Sequence, residues 1–117
     1  MEEVGADQNE IVASAHSLFY NPSNGNTRYG VTQVPTANTA FHTYTLINDP
    51  EYLSFQIDGV EYYHVTNDHT GYQSWPYDQP MYLLLNLAIG GSWGGYKGVD
   101  KKSMPWTFSI DYVRVFQ

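Results

Sequence analysis

Leu53-Ser54-Phe55-Gln56-Ile57-Asp58-Gly59-Val60-Glu61-Tyr62-Tyr63-His64-Val65 reads as a β-hairpin, and that reading decides the fold class. Two runs of period two flank Asp58-Gly59, the preferred dipeptide of a two-residue type I′ turn, which needs positive φ at both positions. The turn predicts a register: Ile57 opposite Val60, Gln56 opposite Glu61, Phe55 opposite Tyr62.

Working outward, the same period recurs. Glu10 to Phe19 alternates Val12, Ser14, His16 and Leu18 on one side with Ile11, Ala13, Ala15 and Ser17 on the other. Phe41 to Leu46 is a further strand. Pro80 to Ile89 holds the run Tyr82-Leu83-Leu84-Leu85-Asn86-Leu87-Ala88-Ile89, apolar on both sides, as in a central strand covered on both faces. Leu and Ala equally allow a buried helix there, and propensity alone does not choose. Gly90-Gly91 ends the element. Thr107 to Phe116 reads as a final strand. Polar loops run through Asn21–Asn26, Asn67–Gly71 and Gly94–Ser103, the last holding all three lysines. Short strands with turn signals between them predict an antiparallel all-β sandwich or barrel. No repeat, linker or low-complexity tract divides the chain, so residues 1–117 form one domain.

Composition narrows the function. Twelve acidic residues face five basic ones, a net charge of −7. Nucleic acid is excluded as a partner, because Lys and Arg supply most of that affinity, and an anionic membrane surface is disfavoured for the same reason. No apolar run spans a bilayer, and no basic segment followed by an apolar one opens the chain. Absence of cysteine removes disulfides, thiolate zinc and thiol nucleophiles. Eleven Tyr, five Phe and three Trp suit half-buried strands, and also the stacking of flat, uncharged ligands against an apolar ring with a polar tip.

Four candidates bear chemistry. If Met1–Gly5 and the strand ending near His16 pair symmetrically, Glu2 faces His16, and a carboxyl and an imidazole would tune each other's protonation. Asn86, a lone amide among leucines, either bonds core backbone or serves a site. Trp93, flanked by glycines in Gly90-Gly91-Ser92-Trp93-Gly94-Gly95, either packs in the core or stacks on a ligand. Asp111, between Ile110 and Tyr112, lies on a solvated face or binds a hard cation such as calcium. Phosphate loops, nucleophile elbows and zinc-protease motifs are absent.

These residues together resemble the C-terminal half of the catalytic domain of family 16 glycoside hydrolases, most closely its laminarinase (endo-β-1,3-glucanase) branch. Met1-Glu2-Glu3-Val4-Gly5 resembles the end of the family's Glu-Ile-Asp-Ile-Met-Glu active-site strand. Phe41-His42-Thr43-Tyr44 through Asp58-Gly59 resembles its central hairpin. Pro80 to Trp93 resembles its Leu-Asn-Leu-Ala-x-Gly-Gly-x-Trp strand and loop, and Ile110 to Gln117 its closing strand. The resemblance implies an antiparallel β-jelly-roll sandwich (concanavalin A-like), of which this chain holds only the C-terminal half. It places Glu2 on the acid/base glutamate, His16 on the neighbouring histidine, Trp93 on a sugar-stacking position, Asn86 near the cleft floor and Asp111 on an aspartate that binds structural calcium in many members. It implies a β-glucan substrate, a secreted or cell-surface location and retaining hydrolysis by two carboxylates.

The chain also departs from the family. The nucleophilic Glu and its supporting Asp would precede Met1, and Ile47-Asn48 stands where many members have Glu-Trp. The isolated chain is therefore expected to be inactive, completed by a complementary N-terminal half or by self-association through open sheet edges. A non-catalytic carbohydrate-binding β-sandwich is the competing expectation.

Overall fold

The computed structural model describes residues 1–117. It is nearly all β. Six strands form two antiparallel three-stranded sheets: β1 (Glu2–Glu3), β2 (Glu10–Ser14) and β3 (Tyr29–Gln33) in the first, and β4 (Tyr44–Asn48), β5 (Tyr52–Ile57) and β6 (Val60–Thr66) in the second. Short 3-10 turns occupy Pro22–Asn24 and Lys101–Ser103. No helix is long and apolar enough to cross a membrane.

The hairpin that fixed the fold class is β5–β6. Asp58 and Gly59 take φ of 51° and 79°, as a type I′ turn requires. Ile57 pairs with Val60 and Gln56 with Glu61, as expected, but Phe55 pairs with Tyr63 rather than Tyr62. One extra residue is accommodated in β6 beside the Phe55/Gln56 step, a β-bulge that local turn chemistry does not encode. Its effect is visible in the packing. The Tyr63 ring stacks on Phe55 with centroids 5.5 Å apart, and it also covers Gly30 of β3. The two sheets meet at that contact.

Between them lies a small core of Ala13, Ala15, Leu53, Phe55, Val65 and Trp75, with Tyr62, Tyr63 and Tyr77 packed against it. Ile11 and Ala13 are buried in β2 as the period of two predicts. Val12, on the opposite side, is buried too, so β2 is covered on both faces and reads as the centre of its sheet.

Strand bounds are shorter than the sequence periodicity suggested. β2 stops at Ser14, because the chain turns at Ser17–Tyr20, where Ser17 N–H donates to Tyr20 O. The strand expected from Phe41 begins at Tyr44. β3 was not foreseen at all.

The larger correction concerns the last third. Neither Pro80–Ile89 nor Thr107–Phe116 joins a ladder. Leu83, Leu84 and Leu85 are 61%, 74% and 49% exposed, where a central strand covered on both faces was expected. The physical reason is arithmetic of cover: such a run needs a neighbour on each edge and a layer on each face, and the six strands here supply neither. The whole chain exposes 8603 Å², against roughly 6,400 Å² for a compact monomer of this mass.

Candidate active site

Glu2 lies on the two-residue edge strand β1, exposed, with its backbone paired to Val12. It does not face His16. The turn between β1 and β2 sets this register. Asp7 N–H donates to Val4 O at 2.8 Å and Glu10 N–H to Asp7 O at 3.1 Å, with Asn9 in the left-handed region at φ 69°. Two stacked tight turns consume the residues a symmetric pairing would need. His16 therefore lies four residues beyond Glu2's partner, past the end of β2, exposed, with its carbonyl accepting the Tyr77 hydroxyl at 2.8 Å.

Glu3 is the neighbouring carboxylate, and its orientation separates it from Glu2. Side chains alternate along a strand. The Glu3 Oε1 accepts the Asn9 N–H at 2.7 Å, so this carboxylate is engaged in the turn.

The other expected site residues lie on the unpaired last third. Asn86 is exposed. Trp93 is half exposed in the Gly90–Gly98 turn. Asp111 is exposed, and nowhere do three His, Asp or Glu side chains converge on a common point. The residues present thus do not by themselves make a calcium site, since that ion takes six to eight oxygen ligands.

Sequence reasoning missed the connection between this last third and the Glu2 hairpin. Lys97 Nζ donates to Asp7 Oδ1 at 2.8 Å and to Ala6 O at 2.6 Å. The Tyr96 hydroxyl contacts both Asp7 oxygens at 3.1 Å. These bonds hold the Asp7 carboxyl below its usual range, Lys97 contributing most and Tyr96 next. The only visible signal was the gathering of the lysines in one loop.

Two polar clusters brace the surrounding loops. His42 Nδ1 meets Asp58 at 2.7 Å while its Nε2 meets Thr36 at 2.9 Å, tying the approach to β4 onto the hairpin turn. Asp68 collects Arg28 at 2.6 Å, the hydroxyls of Ser74 and Thr70, and Tyr20. The Arg28 guanidinium also lies 3.5 Å from the centre of the Tyr20 ring. Hydrogen bonds from Ser74 and Thr70, then Arg28, hold the Asp68 carboxyl well below the usual carboxylate range. A depressed folded-state pKa adds stability above the unfolded value and loses it as pH falls through the folded one. Stability should thus fall from about pH 4 downward, and Asp68→Asn should flatten that slope. Asp7, Asp58 and Glu61, depressed in the same direction, would keep part of it. Urea midpoints measured from pH 6 to pH 2 check this; an unchanged slope in Asp68→Asn would refute it.

The fold offers two antiparallel sheets, an exposed carboxylate on an edge strand, and a glycine-flanked, half-exposed tryptophan in a turn tied to the Glu2 hairpin through Tyr96 and Lys97. The comparisons specify its class. The model of the glycosyl hydrolases family 16 matches residues 1–114, and the chain belongs to that family. A β-glucanase of Rhodothermus marinus is 38% identical over the full length of this chain. Keratan-sulfate endo-1,4-β-galactosidase of Sphingobacterium multivorum is 30% identical over 95% of it. The laminarinase of R. marinus superposes with a TM-score of 0.83 at 36% identity over 88% of the chain. So does SCLam, a non-specific endo-β-1,3(4)-glucanase of the same family. This chain spans 43% of the R. marinus laminarinase and 39% of SCLam. The fold is therefore part of a family 16 jelly-roll sandwich.

Proposed function

We propose that this chain supplies the acid/base half of a retaining endo-β-1,3-glucanase site, acting on laminarin or a mixed β-1,3/1,4-glucan outside the cell. The observation that carries the reading is the family match over residues 1–114, with β-glucanases superposing closely over 88% of the chain. A Glu-to-Ser variant of SCLam holds a β-1,3-linked glucosyl oligosaccharide at its active site, which supports the substrate class.

In this reading Glu2 protonates the departing glycosidic oxygen as a nucleophilic carboxylate attacks the anomeric carbon. Glu2 then takes a proton from the water that releases the sugar. Retention requires the two carboxyl groups roughly 5 Å apart. Glu3 is not the second group, because it alternates away and is held by Asn9. The nucleophile comes from a complementary N-terminal half, which also covers the exposed Leu83–Leu87 run. Trp93 stacks on a glucosyl ring, and Asn86 offers an amide near the cleft floor.

The test is a fusion of this chain behind the non-matching part of the R. marinus laminarinase. The 117-residue chain alone should leave laminarin intact, and the fusion should release reducing ends. Laminarin hydrolysis by the pure chain would overturn the need for a second half. A folded fusion that binds laminari-oligosaccharides without cleaving them would favour a binding module.

A further inference from the structure

The Gly90–Gly98 turn is internally stiff. Gly95 N–H donates to Gly91 O at 3.2 Å and Gly98 N–H to Gly95 O at 2.8 Å. A Cβ on Gly95 would lie 2.8 Å from the Gly90 Cα, so the turn closes on itself too tightly for any side chain there. Trp93 sits inside this turn, and Tyr96 N–H reaches back to Trp93 O at 3.4 Å. Whatever fixes Tyr96 and Lys97 therefore restrains the backbone that carries Trp93.

Both are fixed to one place. Tyr96 and Lys97 close on Asp7 and the Ala6 carbonyl, in the turn that joins β1 to β2. Glu2 begins that same hairpin, five residues away. Across the rest of the last third, one other side-chain hydrogen bond reaches back to the first two thirds of the chain, Thr43 to Tyr112 at 3.2 Å. Segments about ninety residues apart in sequence are thus joined at the turn of the hairpin that carries Glu2.

We infer that Asp7, Lys97 and Tyr96 form a positioning clasp that sets Trp93 against the Glu2 hairpin, and so determines how a glucosyl ring is seated. The inference rests on the glucanase reading for its ligand, but the clasp itself does not. The three side chains touch no reacting atom; they act through Trp93. An isolated surface ion pair is worth little to stability. The clasp's contribution is geometric, and a misplaced binding group costs affinity and rate without unfolding the protein.

The experiment uses the 117-residue chain and the laminarinase fusion. Hydrogen exchange of the Gly95, Tyr96 and Gly98 amides should quicken at least fivefold in Asp7→Asn and in Lys97→Met, while β5–β6 amides stay unchanged. The double variant should match either single one, since both break one clasp. Unchanged exchange in both variants overturns the clasp, whether or not the chain acts on glucan. In the fusion, laminarihexaose should bind about tenfold more weakly in both variants, with KM rising more than kcat falls. The swapped pair Asp7→Lys with Lys97→Asp should recover part of the loss. Quicker exchange with unaltered sugar affinity would refute the positioning role and leave a merely structural tie. A fusion that binds no oligosaccharide in its unaltered form would sink the glucanase reading instead, with the exchange result still standing.

Discussion

Glu2→Gln in the laminarinase fusion is expected to lower laminarin hydrolysis about a thousandfold, within the range that positioned proton transfer contributes. Gln keeps the size of the side chain and cannot give up a proton to the leaving oxygen. The change should not disturb the fold, since Glu2 is exposed and its backbone pairing with Val12 does not involve the carboxyl. A substrate with a dinitrophenolate leaving group separates the roles. Such a group departs without protonation, so the first step should proceed near its normal rate, while the second still lacks its base. The expected trace is a burst of one equivalent followed by slow turnover. Glu3→Gln should stay within a few-fold of the unaltered fusion, because that carboxylate serves the turn through Asn9. Retention of activity in Glu2→Gln, or equal losses at Glu2 and Glu3, would remove Glu2 from the acid/base role.

How far these features were legible in the sequence depended on how local their causes are. The Asp58-Gly59 turn was legible because two residues dictate it. The Tyr63 bulge was not, since it is settled by a ring that must serve Phe55 and Gly30 at once. β3 escaped notice because Gly30 interrupts a short run that otherwise reads as loop. Glu2 is a candidate both from a hairpin pairing opposite His16 and from the family motif, but the pairing register differs because Asn9 adopts a left-handed conformation that no periodicity signals. The Leu83–Leu87 run reads as a strand covered on both faces because periodicity cannot tell whether neighbours exist to cover it; in the fold it is exposed and joins no ladder. The Asp7–Lys97 contact joins positions ninety apart, beyond any pattern of spacing.

Gly30→Ala is expected to cost about 2 kcal/mol, the scale of an overpacked core. The added Cβ would stand 2.5 Å from Tyr63 Cγ and Cδ2 and 2.6 Å from its Cβ. A flexible tip could swing aside, but Cβ moves only with the β6 backbone, which the bulge holds in place, and Cγ only by a χ1 change that breaks the Phe55 stack. The strain therefore falls on the contact between sheets. β3 joins the Glu2 sheet through β2, so parting β3 from β6 also shifts the sheet that presents the acid. Urea unfolding of the fusion should show a lower midpoint at an unchanged slope. Gly5→Ala, with nothing within 4 Å of its added Cβ, serves as the control and should leave the midpoint in place. Tyr63→Ala creates a cavity by itself, yet combined with Gly30→Ala it should cost less than the two single losses added together. Strict additivity, or an unshifted midpoint in Gly30→Ala, would mean that the two sheets do not meet at this pair.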